Sequence, residues 1–216
     1  MRAAETPLDD YLEGLSSPAD ELLVAIERWA NLHTAQPQMV CGPHEGALLT
    51  ALCRSLSART VVEVGSFVGY STICLARGMS AGATLHAFEV NEEYEAPLRR
   101  HIAMAGVDDR VLIHMGDAKV LLPEVLEETA LVDMAFIDAD KRNLSLYYEM
   151  IIPRMRRGGL VLIDNVLWGG KVLDTVSNHD ADTLAMDAFN KMVCNDPRVE
   201  NVMLNVRDGL TVCSVL

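Results

Sequence analysis

Acidic residues close a series of short apolar runs in this chain, and their neighbours limit the chemistry they can do. Glu63 leads into Gly65-Ser66-Phe67-Val68-Gly69-Tyr70-Ser71, and Glu89 closes the next run. Gly116-Asp117-Ala118, Asp138-Ala139-Asp140-Lys141 and Asp164-Asn165 follow. If neighbouring strands carry Asp138 and Asp164, their backbones lie ~4.8 Å apart. Two carboxylates that close share a proton or a cation. With the neutral oxygen of Asn165 they make a three-oxygen set with open positions, suited to Mg2+ or another divalent cation such as Mn2+ or Ca2+. A plainer alternative stays open, with Asp138 capping the next turn and Asp164 a solvated strand end. Lys141 is by default a surface lysine. Beside a divalent cation and partly buried, its amine would serve as a general base.

The Gly65-x-x-x-Gly69 loop is one glycine short of the dinucleotide fingerprint GxGxxG, and such a loop can equally be an ordinary tight turn. Glu89 follows near the ~20-residue spacing at which an acid holds a ribose diol. Carboxylates around that loop would repel a pyrophosphate and attract a cationic, phosphate-free adenosyl group. S-adenosylmethionine is such a ligand, so the electrostatics favour it over NAD. A nicotinamide-dependent oxidoreductase is the runner-up, and an inactive binding module is the alternative from another class.

Particular elements must present these ends. The runs Thr60–Val64, Thr84–Val90, Arg110–Met115, Val132–Ile137 and Leu160–Ile163 read as apolar on both faces, as parallel strands covered by helices are. Helical stretches at Ser71–Met79, Asn91–Ala105, Ala118–Thr129 and Asn143–Met155 lie between them. This alternation predicts an α/β, doubly wound, Rossmann-like sheet. Val199–Val206 and Leu210–Leu216 flank Arg207-Asp208-Gly209, a hairpin signal. The expectation is seven mostly parallel strands with the last antiparallel. The first sixty residues read as helices, one begun by Pro18-Ala19-Asp20-Glu21 and one spanning Glu45–Ser55. With no repeat or linker, residues 1–216 are expected to form a single domain, a helical extension over 1–59 and a core over 60–216.

Composition narrows the function classes. Half of the 216 residues are apolar, and 31 acids against 18 Lys and Arg give a net charge of −13. Nucleic acid and anionic membrane surfaces are poor partners for such a chain, because both are bound by neutralising phosphates. Cys41, Cys53, Cys74, Cys194 and Cys213 are odd in number and form no CxxC pair, the pattern of reduced cytoplasmic thiols. Met1 to Pro7 lacks the apolar stretch of a signal peptide, and no run approaches the ~20 residues of a membrane span. Met39, Met104, Met115 and Met134 read as core filler, and Cys74 as a small buried side chain. Arg99-Arg100 reads as a solvated helix face, and His44, His86, His101 and His114 show no metal spacing.

Five motifs occur in order. They are Met39 with Gly46 seven residues on, Glu63-Val-Gly-x-x-x-Gly-Tyr-Ser71, Asp138-Ala-Asp-Lys-Arg-Asn143, Asp164-Asn-Val-Leu-Trp-Gly-Gly170 and Asp208-Gly-Leu-Thr-Val-Cys213. From Met39 onward the chain thereby resembles the metal-dependent class I O-methyltransferases of the caffeoyl-CoA and catechol type. The resemblance implies that Glu63, Gly65, Ser66 and Ser71 line the methionine part of the cofactor, with Met39 in contact and Cys41 contributing its backbone. It implies Glu89 at the ribose, Asp117 with Ala118 at the adenine, and Asp138 bordering the cofactor. Asp138, Asp164 and Asn165 would bind the metal, with Lys141 as base. Trp168 would wall the substrate pocket or be an ordinary buried aromatic. A homodimer is implied as well, with the N-terminal helices as lid or interface. Leu144 departs from the usual Tyr, and Ser214-Val215 from the Arg-Arg of plant members. The first sixty residues hold eight acids, four arginines and no lysine. They offer a coenzyme A thioester little positive charge, so a small free catechol or phenylpropanoid is the expected acceptor.

Overall fold

The computed structural model of the chain describes residues 7–18 and 20–216. The segment Met1–Thr6 and the Ala19 position of the predicted helix start lie outside the described residues. Eight α-helices and seven strands follow in order among the rest: α1 Pro7–Gly14, α2 Glu21–His33, α3 Gly42–Ser55, β1 Thr60–Val64, α4 Tyr70–Gly78, β2 Thr84–Glu89, α5 Glu95–Met104, β3 Val111–Met115, α6 Ala118–Glu128, β4 Val132–Ile137, α7 Leu144–Ile151, β5 Met155–Asp164, α8 Ala181–Cys194, β6 Val199–Leu204 and β7 Leu210–Val215. No helix among the described residues is long and apolar enough to cross a membrane.

The strands form one sheet in the order β3-β2-β1-β4-β5-β7-β6. The first five run parallel, and β7 lies antiparallel between β5 and β6. The winding starts at β1, proceeds outward to β3, and returns to β4 on the other side of β1. The carboxyl ends of β1 and β4 therefore meet at the switch point, where open α/β sheets bind ligands. Gly65 stands there with φ +100, and a Cβ on it would overlap the Asp138 carbonyl, so only glycine fits.

Two apolar layers cover the sheet. One gathers Ile26, Leu49, Ile73, Leu75 and Leu98 from α2 to α5 against Val61, Leu85 and Phe136. The other gathers Leu122, Tyr148, Met186 and Phe189 from α6 to α8 against Val62, Ala135 and Ile163. Gly46 on α3 lets α4 come close, since a Cβ there would sit 2.8 Å from Cys74 Sγ.

Some expectations need correction. Burial on both faces holds for β1 and β4 but not for β3, where Leu112 is 51% exposed. β3 stands at the end of the strand order, with β2 its one strand neighbour among the described residues. Strand β5 is longer than Leu160–Ile163; it begins at Met155, through Arg156-Arg157-Gly158-Gly159 and a register shift against β4. Helix α1 falls within the expected helical extension, without bounds of its own, and α8 was not predicted. In α8, Asp180 caps Thr183, and Thr183, Met186, Phe189 and Val193 form its buried stripe. Met134 and Cys74 are core residues, but Met104 is 55% exposed on the last turn of α5, and Met39 is exposed beside a cavity. Arg99 and Arg100 are exposed, as a solvated face requires.

Candidate functional site

Strand β1 delivers Glu63 to a fully buried position. One of its oxygens, Oε2, accepts hydrogen bonds from Ser66 Oγ (2.9 Å) and Thr72 Oγ1 (2.5 Å), while Oε1 has no partner. Burial pushes the carboxyl up to about 7, against the pull of hydroxyl donors from Ser71, Thr72 and Ser66. The chain then turns through Gly69 (φ +92), the N-cap of α4, and the first turn of that helix carries Tyr70 and Ser71. Its unpaired amides and dipole favour an anionic group there.

A cavity beside this turn is lined by Met39, Val40, Cys41, Gly65, Ser66, Phe67, Tyr70, Ser71, Glu89 and Asp138. Glu89, at the end of β2, is fixed by backbone: Phe67 N donates to Oε2 (2.7 Å) and Asn91 N to Oε1 (2.8 Å). Burial raises its pKa and these amides oppose the rise. Asp117 and Ala118 do not line that cavity. Asp117 caps α6 by accepting from Lys119 N (2.9 Å) and pairs with Lys119 Nζ at 3.3 Å.

Asp138 also faces a second cluster, where the ends of β4 and β5 adjoin. Lys141 Nζ lies 3.2 Å from Asp138 Oδ1 and 3.4 Å from the Asp164 carbonyl oxygen. The Lys141 side chain is only 9% exposed, so it is no ordinary surface lysine. Asp164 is 3% exposed, which sets aside the solvated strand end. Its carboxyl is pushed up to about 7 by burial and then by the Asp138 charge, against Lys141, the Asn165 amide and Arg207. Asp138 does not hold the turn that follows it. Asp140 does, accepting from Asn143 Nδ2 (2.6 Å) and Tyr147 OH (2.9 Å). Asn165 adopts φ +58, and its N–H donates to Asp164 Oδ1 at 2.6 Å. Among the described residues no three His, Cys, Asp or Glu side chains group as a ready metal site. The Asp138 and Asp164 carboxyls interact through their charges, and Asn165 adjoins them through its backbone N–H. The Lys141 ammonium thus touches the Asp138 carboxylate and the Asp164 backbone carbonyl, beside a buried acid that resists ionisation.

Trp168 falls between its two expected roles. It is half-buried against the α6–α8 layer, with φ +51 and an indole Nε1 that is buried without a partner. Sequence reasoning missed Glu45, Arg207, Val40, Phe67 and Tyr70. Glu45 is 1% exposed on α3, and its Oε2 lies 3.4 Å from Arg207 Nη1. Burial raises its pKa first, and Asp164 raises it further through charge and a hydrogen bond. The available signal was an acid one position before Gly46 inside an otherwise apolar helix face.

Comparison with known proteins adds to this geometry. A family model described as O-methyltransferase matches residues 13–216. Catechol O-methyltransferase of Niastella koreensis is 32% identical over 200 residues, covering 92% of this chain and 90% of that protein. Tricin synthase 2 of Oryza sativa subsp. japonica is 36% identical over 179 residues; the match covers 79% of this chain and 61% of that protein, so this chain spans less than two thirds of that relative. The crystal structure of an O-methyltransferase from Bacillus cereus in complex with SAH superposes with a TM-score of 0.89 at 31% identity, covering 98% of each chain.

Proposed function

The chain belongs to the O-methyltransferase family, and from that membership we propose that it transfers the methyl group of S-adenosylmethionine to one hydroxyl of a small catechol-type acceptor with the help of a divalent cation. The observation that carries this reading is the position of Asp138, which borders the cavity lined by Ser66, Ser71 and Glu89 on one side and touches Lys141 beside Asp164 on the other.

When bound, S-adenosylmethionine supplies a methyl carbon made electrophilic by its sulfonium, and a divalent cation, Mg2+ first, supplies Lewis acidity toward two adjacent phenol oxygens. The residues fit both groups. Glu63 offers an unpaired, buried carboxylate oxygen for the amino group of the methionine part. Ser66 and Ser71 offer hydroxyls beside the N-terminus of α4, suited to its carboxylate. Glu89 accepts the ribose hydroxyls, and the Phe67 and Asn91 amides already fix its rotamer. Met39 packs on the cofactor, Cys41 meets it through its backbone, and Asp117 with Ala118 borders the adenine. Asp138, Asp164 and Asn165 present hard oxygen donors of the kind Mg2+, Mn2+ or Ca2+ takes.

Lys141 acts as the general base. Asp138 and the Asp164 carbonyl hold its Nζ in place, and it takes the proton of the acceptor hydroxyl as the nucleophile forms. Trp168 walls the acceptor side. Alignment of nucleophile and methyl carbon is the larger part of what the protein contributes. The net charge of −13 disfavours a coenzyme A thioester relative to a free catechol or phenylpropanoid. A cytoplasmic homodimer completes the reading. An assay of methyl transfer to simple catechols, with product position read by NMR, tests it. EDTA should abolish product and Mg2+ restore it. Turnover insensitive to EDTA would remove the cation from the reading, and caffeoyl-CoA turned over with the higher kcat/KM would remove the free catechol.

A further inference from the structure

The turn joining β6 to β7 grips both halves of the site with consecutive residues. Arg207 adopts φ +50, a backbone conformation that a long side chain rarely takes. Its Nη1 donates to the Val40 carbonyl at 2.9 Å and lies 3.4 Å from Glu45 Oε2, reaching across the fold to the segment before α3. Val40 and Cys41 line the cavity that holds Glu63's neighbours and Glu89. The next residue turns the other way: Asp208 Oδ1 accepts from Gly169 N (2.6 Å), and its carbonyl accepts from Leu167 N (2.9 Å). Gly209 O accepts from Val166 N at 3.1 Å, and a Cβ on Gly209 would collide with Leu167. The segment so held follows the Asp164-Asn165 pair and carries Trp168, with positive φ at Asn165, Trp168, Gly169 and Gly170. Val166 anchors it in the core and Asn190 Nδ2 donates to the Val166 carbonyl (2.8 Å), while Gly169 and Gly170 are exposed and the chain beyond, at Leu173 and Val176, is 83% and 88% exposed.

The geometry points to Arg207 as a positioning residue that transmits occupancy of the cofactor cavity to the acceptor-side segment 166–170. This inference rests on the cofactor reading above. Filling the cavity fixes the Met39–Cys41 wall, which fixes the Val40 carbonyl. Arg207 and the turn behind it then lose freedom, and so do the amides that Asp208 and Gly209 hold. The coupling is reciprocal, so an ordered 166–170 segment strengthens cofactor binding by the same factor.

Hydrogen–deuterium exchange of the 166–170 amides, with and without S-adenosylhomocysteine, tests it, with affinity measured alongside by calorimetry. In the unmodified chain the ligand should slow exchange there. Arg207→Ala should bind roughly tenfold more weakly, the scale of one charged hydrogen bond, and at saturation should show no added protection of 166–170. Arg207→Gln is read the same way should the alanine variant not fold. Asp208→Ala should leave exchange of the Gly169 amide fast with or without ligand, the backbone-held Val166 and Leu167 amides staying protected, while affinity changes less than in Arg207→Ala. Equal ligand-induced protection in Arg207→Ala and the unmodified chain would overturn the coupling, as would ligand binding without protection in the unmodified chain. Failure of the ligand to bind the unmodified chain at all would sink the cofactor reading, and the coupling with it.

Discussion

The two halves of the site are built differently. Around Glu63 and Glu89, carboxylate oxygens are held by backbone amides of Phe67 and Asn91, after β1 and β2, and by hydroxyls of Ser66 in the loop after β1 and Thr72 on α4. Around Asp138 and Asp164, the groups are held by one lysine and by a segment rich in left-handed backbone. The first half is preorganised by the chain itself. The second sets the Asp138 carboxylate and the Asp164 carbonyl about the Lys141 ammonium, and it is the half that the proposed cation would complete. Such a division suits a reaction in which one ligand is held as delivered and the other must be aligned as charge develops.

The sharpest way to break this contrast is Lys141→Ala. It should lower kcat by about 10²- to 10⁴-fold, the range for loss of a general base, while S-adenosylhomocysteine affinity and circular dichroism stay unchanged. Normal turnover would show that the lysine is only a counter-ion. Gly65→Ala strikes the seam between the halves. Positive φ and overlap with the Asp138 carbonyl predict a stability loss of about 3 kcal/mol or more, read as a lower urea midpoint.

A third test uses pH. Glu63 lies near 7 in the folded chain, against about 4.3 when exposed. Between those values the folded state keeps a proton the unfolded chain has lost, so ligand-free stability should fall as pH rises from ~4 to ~7. Only the ionised form attracts an ammonium, so S-adenosylhomocysteine affinity should rise as pH climbs through 7. Glu63→Gln should flatten the affinity trend and make the stability trend shallower, the remainder belonging to the raised Asp164 and Glu45 carboxyls, and unchanged trends would remove Glu63 from the cofactor side. The smallest effect belongs to Trp168→Ala, which should raise KM for the acceptor a few-fold and leave that for S-adenosylmethionine alone. Equal changes in both would place Trp168 in the general packing.

Much of the architecture was legible because strand ends and chemistry coincide. Parallel strands buried on both faces write themselves as Val61-Val62 or Ala135-Phe136-Ile137, and the acid after each run marks the carboxyl edge. What the pattern hid depended on non-local pairing. Strand β5 starts in Arg156-Arg157-Gly158-Gly159, which no period-2 rule recognises, and only pairing with Val132 makes its first residues a strand. Helix α8 was not predicted although its cap and stripe obey helical spacing; it follows an irregular 166–180 stretch, with left-handed Gly169 and Gly170, that breaks the strand–helix alternation. Lys141, three residues beyond Asp138, was placed near it by the sequence, though their contact was not. The Arg207–Glu45 contact joins residues 162 apart, and nothing local announces it.

The central claim is that positive charge completes the cluster at Asp138 and Asp164. A crystal grown with S-adenosylhomocysteine and Mn2+, with the metal located by its anomalous signal, tests it most directly. The account predicts one ion within bonding distance of Asp138, Asp164 and Asn165 oxygens, with Lys141 Nζ displaced toward the acceptor side. Carboxylates turned apart, with no anomalous peak between them at saturating Mn2+, would contradict it.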